Sequence, residues 1–178
     1  LEAGTLVKAL LGEMRIGVQG GILEEAIAQA FSAELGAVRR AATFVTDPGD
    51  LAVLAKRGEL ATTGPELGSP LAFMLATPFE NVKAKANPKA AIFEDKLDGI
   101  RVQVHADGET VHLFARGLGD VSATFPEILR FFATQDLEVI LDGELLAVTR
   151  EAGAFRPRPF QALQARLGRR EVDAATAT

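Results

Sequence analysis

The chain has 178 residues, 48% of them hydrophobic and 24% charged, with a mean hydropathy of +0.16; this excludes a disordered polymer and allows one ordinary domain or two small ones with real cores. Cysteine is absent, which removes disulfide frameworks and thiolate metal sites and fits an intracellular protein. The net charge of −5 speaks against a purely nucleic-acid-binding domain, although Lys83, Lys85 and Lys89 cluster, and Arg150, Arg156, Arg158, Arg166, Arg169 and Arg170 stand against the single acid Glu151.

No apolar run approaches the roughly 20 residues of a membrane span. The first residues, Leu1 to Gly4, have neither an initiator methionine nor a signal-peptide pattern, so the chain reads as a piece of something longer. Residues 1 to about 60 read as helical. Leu6, Leu10, Leu11 and Met14 recur at near-helical spacing, and Ile22, Leu23, Ala26, Ile27, Ala30 and Phe31 follow one helix face after Gly20-Gly21. Asp47-Pro48-Gly49 is a turn, with Asp50 as the expected N-cap of a helix through Leu51, Leu54 and Ala55. From Thr62 to Pro70 the composition shifts to Thr, Gly, Pro and Ser, the best linker in the chain.

Beyond Pro78 the pattern becomes that of strands. Ala91-Ile92-Phe93 is a short apolar run. Val102 and Val104 alternate with Gln103 and His105, as in a half-buried strand. Asp107-Gly108 followed by Val111, Leu113 and Ala115 predicts a β-hairpin. Ser122 is the expected cap of a helix carrying Phe125, Ile128, Leu129 and Phe132. A strand over 137–141 is expected to end in an acidic turn holding Asp142 and Glu144, with Leu145, Leu146 and Val148 continuing the sheet. His105 and His112 read as structural, and Phe155 and Phe160 as core residues more than as base-stacking ones. No internal repeat and no glycine-rich phosphate loop is present, so a bound nucleotide would not depend on a helix N-terminus. The fold class is α+β, with a helical N-terminal region before an antiparallel sheet.

Chemistry concentrates in Glu94-Asp95-Lys96-Leu97-Asp98-Gly99-Ile100-Arg101. A lysine fixed beside a turn can act as a nucleophile, and a nearby arginine can hold phosphate or ribose. Together with the remote carboxylate Glu144 they suggest nucleotidyl transfer. Lys96-x-Asp98-Gly99-x-Arg101 resembles motif I of the covalent nucleotidyltransferases: ATP-dependent DNA ligases, RNA ligases and mRNA capping enzymes. Leu113-Phe114-Ala115-Arg116 followed by Phe125-Pro126-Glu127-Ile128, then Asp142-Gly143-Glu144 as motif III, then Arg158-Pro159-Phe160-Gln161 through Leu163 to Arg166, resemble the DNA ligase branch in order and spacing. Residues 11–17 are similar to a turn in the helical DNA-binding domain of those ligases, a domain that capping enzymes and RNA ligases lack.

The resemblance implies the later portion of a helical DNA-binding domain over 1–68 and the first portion of a nucleotidyltransferase (ligase adenylation) domain, ATP-grasp-like, over 69–178. It implies ATP and Mg2+ as cofactors, nicked double-stranded DNA as partner, a role in repair, replication and recombination, and a cytoplasmic, nucleoid-associated location. Carried over, Lys96 is the nucleophile, Glu94 lies near the adenine amino group, Arg101 near the ribose, and Arg116 near the ribose or a phosphate. Glu144 contacts the ribose or the metal, and Asp98 orders the motif I turn. Ala115 and Gly117 depart from the family's Ser-Arg-Asn, which affects contacts beside Arg116. Motifs IIIa, IV, V and VI and the OB-fold domain do not follow, so an incomplete active site is expected. A non-catalytic DNA-binding or scaffold relative is the second reading, and an RNA ligase or capping-type guanylyltransferase a more distant third.

Overall fold

A computed structural model of the chain describes residues 7, 20–76, 92–108 and 110–167. Leu6, Leu10, Leu11 and Met14, the stretch 11–17, the three clustered lysines and Arg169 and Arg170 lie outside the described residues. The chain divides into two compact units, Leu1–Gly64 and Pro65–Thr178. It combines α-helices with antiparallel strands.

In the first unit, α1 (Gly20–Ala30), α2 (Leu35–Ala41) and α3 (Pro48–Arg57) enclose a core of Ile27, Ala28, Val38, Ala41, Leu51, Ala55 and Leu60. Ile22 and Phe31, expected on the buried face of α1, are exposed instead. Glu34 caps α2 by accepting from the Gly36 and Ala37 N–H groups at 2.8 and 2.6 Å. The cap of α3 is Asp47, not Asp50: its Oδ1 accepts from Gly49 and Asp50 N–H at 2.7 and 3.0 Å. Pro48 takes the first helical position, where a missing N–H costs nothing, so the helix starts three residues earlier than its apolar spacing implies. Gly58, at φ 72°, ends it in the left-handed conformation that glycine adopts without a Cβ penalty. Arg40 then ties down the following turn through the carbonyls of Leu60, Ala61 and Thr63.

The second unit is built on a three-stranded antiparallel sheet ordered β2-β1-β3, with β1 spanning Ile100–Asp107, β2 Thr110–Ala115 and β3 Glu138–Leu145. The β1–β2 hairpin forms where alternation and Asp107-Gly108 predict it, with Gly108 at φ 57°. Helix α4 (Pro126–Ala133) covers one face, packing Ile128, Leu129 and Phe132 on Val102, Val104, Ala106, Val111 and Leu113. Ser122 does not cap α4. It opens a 3-10 turn, Pro126 starts the helix, and the Ser122 hydroxyl accepts from Leu113 N–H at 2.9 Å.

Strand β1 is buried on both faces, not one. Gln103 and His105, on the face away from α4, are only 2% and 1% exposed. The Gln103 amide pairs with the backbone of Leu71 in both directions (2.9 and 2.8 Å), and Gly68 N–H donates to His105 Nδ1 at 3.2 Å. These contacts dock residues 68–71 across the sheet, so the end of the expected linker belongs to the second unit's packing. Satisfying both side chains is what makes their burial affordable in free energy. A second hairpin, β4 (Val148–Glu151) with β5 (Ala154–Pro157), and a short α5 (Gln161–Gln164) follow. Phe155 is 70% exposed, with Arg150 over its ring at 6.0 Å, so it is not a core residue. Phe160 is half-buried.

Candidate active site

Strand register creates the site. Alternation along β1 places Arg101, Gln103 and His105 on one face, and the pairing sets Glu144 opposite Arg101 and Asp142 opposite Gln103. Arg101 and Asp142 are therefore diagonal neighbours on a shared face, within reach of a long side chain. β2 ends at Ala115, which faces Val102, and Arg116 follows it in the turn closed by Leu118 N–H to the Ala115 carbonyl at 2.7 Å. Lys96, Glu94 and Asp98 lie on the exposed irregular segment that runs into β1 at that end. Three stretches apart in sequence, residues 94–101, the end of β2 and the end of β3, thus meet at one sheet end.

The contacts there are specific. Arg101 Nε and Nη2 donate to the two Asp142 carboxylate oxygens at 3.0 and 2.8 Å, Nη1 donates to the Met74 carbonyl at 2.6 Å, and the guanidinium lies over the Phe73 ring at 5.0 Å. The hydrogen bonds that Arg101 donates to Asp142 hold it above the ordinary guanidinium pKa, with burial opposing and the charges of Asp142 and Glu144 adding to the rise. Glu144 Oε1 accepts from Gly99 N–H at 3.0 Å, which fastens the motif I backbone to β3. A Cβ on Gly99 would overlap the Leu145 carbonyl oxygen, so only glycine allows this approach. Asp98, expected to order that turn, and Lys96, Glu94 and Arg116 form no hydrogen bond or ion pair with other described residues.

One expectation changes here. Asp142-Gly143-Glu144 is not a turn: β3 continues from Glu138 to Leu145, because β1 supplies an unbroken ladder of partners and an Asp-Gly pair does not end a strand whose backbone groups are already paired. Ile92 and Phe93, which end the short apolar run, lie open to solvent. They are 88% and 70% exposed. Sequence reasoning passed over Asp142 as a functional side chain. The signal available was its two-residue offset from Glu144, which on a strand means the same face.

The family model for an ATP dependent DNA ligase domain matches residues 73–178, more than half of the chain and all of the strands just described. The chain belongs to the ATP-dependent DNA ligase family. A probable DNA ligase of Koribacter versatilis is 46% identical over 98% of this chain and 30% of its own length. The DNA ligase of Haloarcula marismortui is 42% identical over 99% of this chain and 32% of its own. That of Archaeoglobus fulgidus is 39% identical over 98% and 32%. The chain therefore spans about a third of the length of these curated ligases. No helix among the described residues is long and apolar enough to cross a membrane.

Proposed function

We propose that the chain carries the nucleotide-accepting part of an ATP-dependent DNA ligase, with Lys96 as the covalent nucleophile. The observation that carries this reading is the meeting, at one sheet end, of the Lys96 segment, Arg101 and Glu144, with Gly99 fastened to Glu144. In the reaction the Lys96 amine attacks the α-phosphorus of ATP, a P–N bond forms, and the bond to pyrophosphate breaks. The adenylate then passes to the 5′-phosphate of a nick. The 3′-hydroxyl attacks that phosphate, the strand is sealed and AMP departs. Lysine suits the first step because a neutral amine is a good nucleophile and its phosphoramidate is readily displaced by a later oxygen.

The remaining residues take supporting roles in this reading. Arg101 faces the ribose, Arg116 the ribose or a phosphate, Glu94 meets the adenine amino group, and Asp98 orders the turn that presents Lys96. Residues 1–68 are the later part of a helical domain that grips nicked duplex DNA, and residues 69–178 the first part of the adenylation domain. The protein works in the cytoplasm at the nucleoid, in repair, replication and recombination.

Magnesium fits this donor set modestly. No cluster of three or more potential ligands occurs among the described residues, and the Asp142 carboxylate is already taken by Arg101. Exposed Glu144, one oxygen of which holds the Gly99 N–H, is the carboxylate this reading gives to the ion, and one such ligand suits an ion that arrives held largely by ATP phosphates and water. When bound, that ion neutralises charge on the phosphate oxygens.

Intact mass after incubation with ATP and magnesium tests the proposal. An AMP-sized increase that disappears in Lys96→Ala is expected. A longer protein, spanning the full length of the relatives, that gains no such mass on Lys96 overturns it.

A further inference from the structure

We infer that Asp142 is a positioning residue for the nucleotide, holding the Arg101 guanidinium so that one defined pair of N–H groups is left for the ligand. The inference rests on the reading of Arg101 as a nucleotide contact. An arginine offers five N–H donors in a rigid plane. Three are committed: Nε–H and one Nη2–H to Asp142, and one Nη1–H to the Met74 carbonyl. Two remain, one on each Nη, and these are the donors left for the oxygens of a ligand. Phe73 closes one flat side of the guanidinium at 5.0 Å. An arginine side chain otherwise samples many rotamers, and ordering it on binding costs affinity. With one edge, one end and one ring face occupied, that ordering is done before the nucleotide arrives.

Asp142 and Glu144, two residues apart on β3, stand on the same face and hold the site in two ways. Glu144 fastens the backbone at Gly99, and Asp142 fastens the side chain of Arg101 two residues along β1. The ion pair is 34% and 43% exposed at its two side chains, so it is screened and contributes little to folding. Its significance lies in geometry. A shorter or neutral side chain at 142 leaves the fold intact and Arg101 unaligned.

ATP affinity of the intact chain, measured for wild type, Asp142→Asn, Asp142→Glu, Arg101→Ala and the Arg101→Ala/Asp142→Asn double variant, tests this. The Arg101 Nε–H resonance, followed without nucleotide, reads the hold itself. The expected result is an ATP Kd at least about tenfold weaker in Asp142→Asn, partial rescue in Asp142→Glu, an unchanged melting temperature, and no added loss in the double variant over Arg101→Ala. The Nε–H signal should be sharp in wild type and broadened by rapid exchange in Asp142→Asn. An Asp142→Asn affinity within twofold of wild type, or a loss that persists undiminished without Arg101, overturns the positioning role while leaving nucleotide binding standing. A longer protein, spanning the full length of the relatives, that neither binds ATP nor labels Lys96 overturns the nucleotide reading and this inference with it. That outcome is distinguishable because it appears before any substitution is made.

Discussion

Arg166 closes a two-point ion pair on Glu127, with Nη1 to Oε1 at 2.6 Å and Nη2 to Oε2 at 3.0 Å. Nη2 also donates to the Thr124 carbonyl at 2.9 Å, and the guanidinium lies over Phe125 at 4.9 Å. The Phe125-Pro126-Glu127 stretch and the arginine that follows Pro159-Phe160-Gln161 each contributed to the family resemblance as separate patterns. In space they form one contact, which joins the start of α4 to the turn after α5 and braces the helix that covers the sheet.

Because the two side chains are only 13% and 27% exposed, removing one leaves a partly buried charge without its partner. Glu127→Ala should lower stability by about 2–3 kcal/mol. Replacing both, as Glu127→Leu with Arg166→Met, should cost less than Glu127→Ala alone, since no charge is stranded. Urea unfolding of the three variants checks this, and a double variant less stable than Glu127→Ala would contradict it.

Gly99→Ala is expected to act on both stability and labelling. The added methyl meets a backbone carbonyl, which cannot rotate away as a side-chain tip can. Overpacking of this kind costs about 1–3 kcal/mol. The shift also pulls the Gly99 N–H from Glu144. Thermal unfolding should show the loss of stability, and transfer of AMP to Lys96 should fall more than tenfold under conditions where the variant is still folded. Full labelling would separate the Gly99–Glu144 contact from the chemistry.

Glu144→Gln separates two roles of one carboxylate. The amide oxygen of glutamine can still accept from Gly99 N–H, whereas the negative charge is gone. Stability should therefore change by less than about 0.5 kcal/mol, while the magnesium dependence of Lys96 labelling shifts to higher metal concentration. Glu144→Ala should lose both. A metal titration followed by intact mass distinguishes the variants, and an unchanged magnesium profile in Glu144→Gln would remove Glu144 from metal binding.

His105 makes stability depend on pH. Burial, with the His112 charge across the strand adding, pushes its pKa below the ordinary histidine value. Gly68 N–H donates to Nδ1, so the neutral ring carries its hydrogen on Nε2, toward Gln103 Oε1 at 3.3 Å. The unfolded chain then binds a proton more readily than the folded one, and stability falls as pH drops below about 6.5, by at most about 1.4 kcal/mol per unit. Below the depressed folded value the loss levels off. Chemical denaturation between pH 8 and roughly pH 5 should show this slope in wild type and a shallower one in His105→Gln. Equal slopes would assign the pH dependence elsewhere.

Much of this molecule was legible in its residues, because the signals concerned are local. The β1–β2 hairpin follows from alternation and Asp107-Gly108, and the helices over 20–30 and 48–57 from near-helical spacing of apolar side chains. The family was legible from motif order, and the match over residues 73–178 agrees. Helix starts were harder to read: Asp47 and Asp50 are both capping residues, and only the backbone decides which one receives the free N–H groups.

What the sequence determined by itself was therefore the family, since motif order and spacing are a property of the chain alone. Tertiary structure decided how the motif side chains are held. A strand pair with a particular register set Arg101 against Glu144 and diagonal to Asp142, carried β3 through an apparent acidic turn, and buried Gln103 and His105 under residues 68–71. Each of those outcomes depends on which backbone N–H and C=O groups find partners many residues away, and that pairing has no counterpart in local spacing.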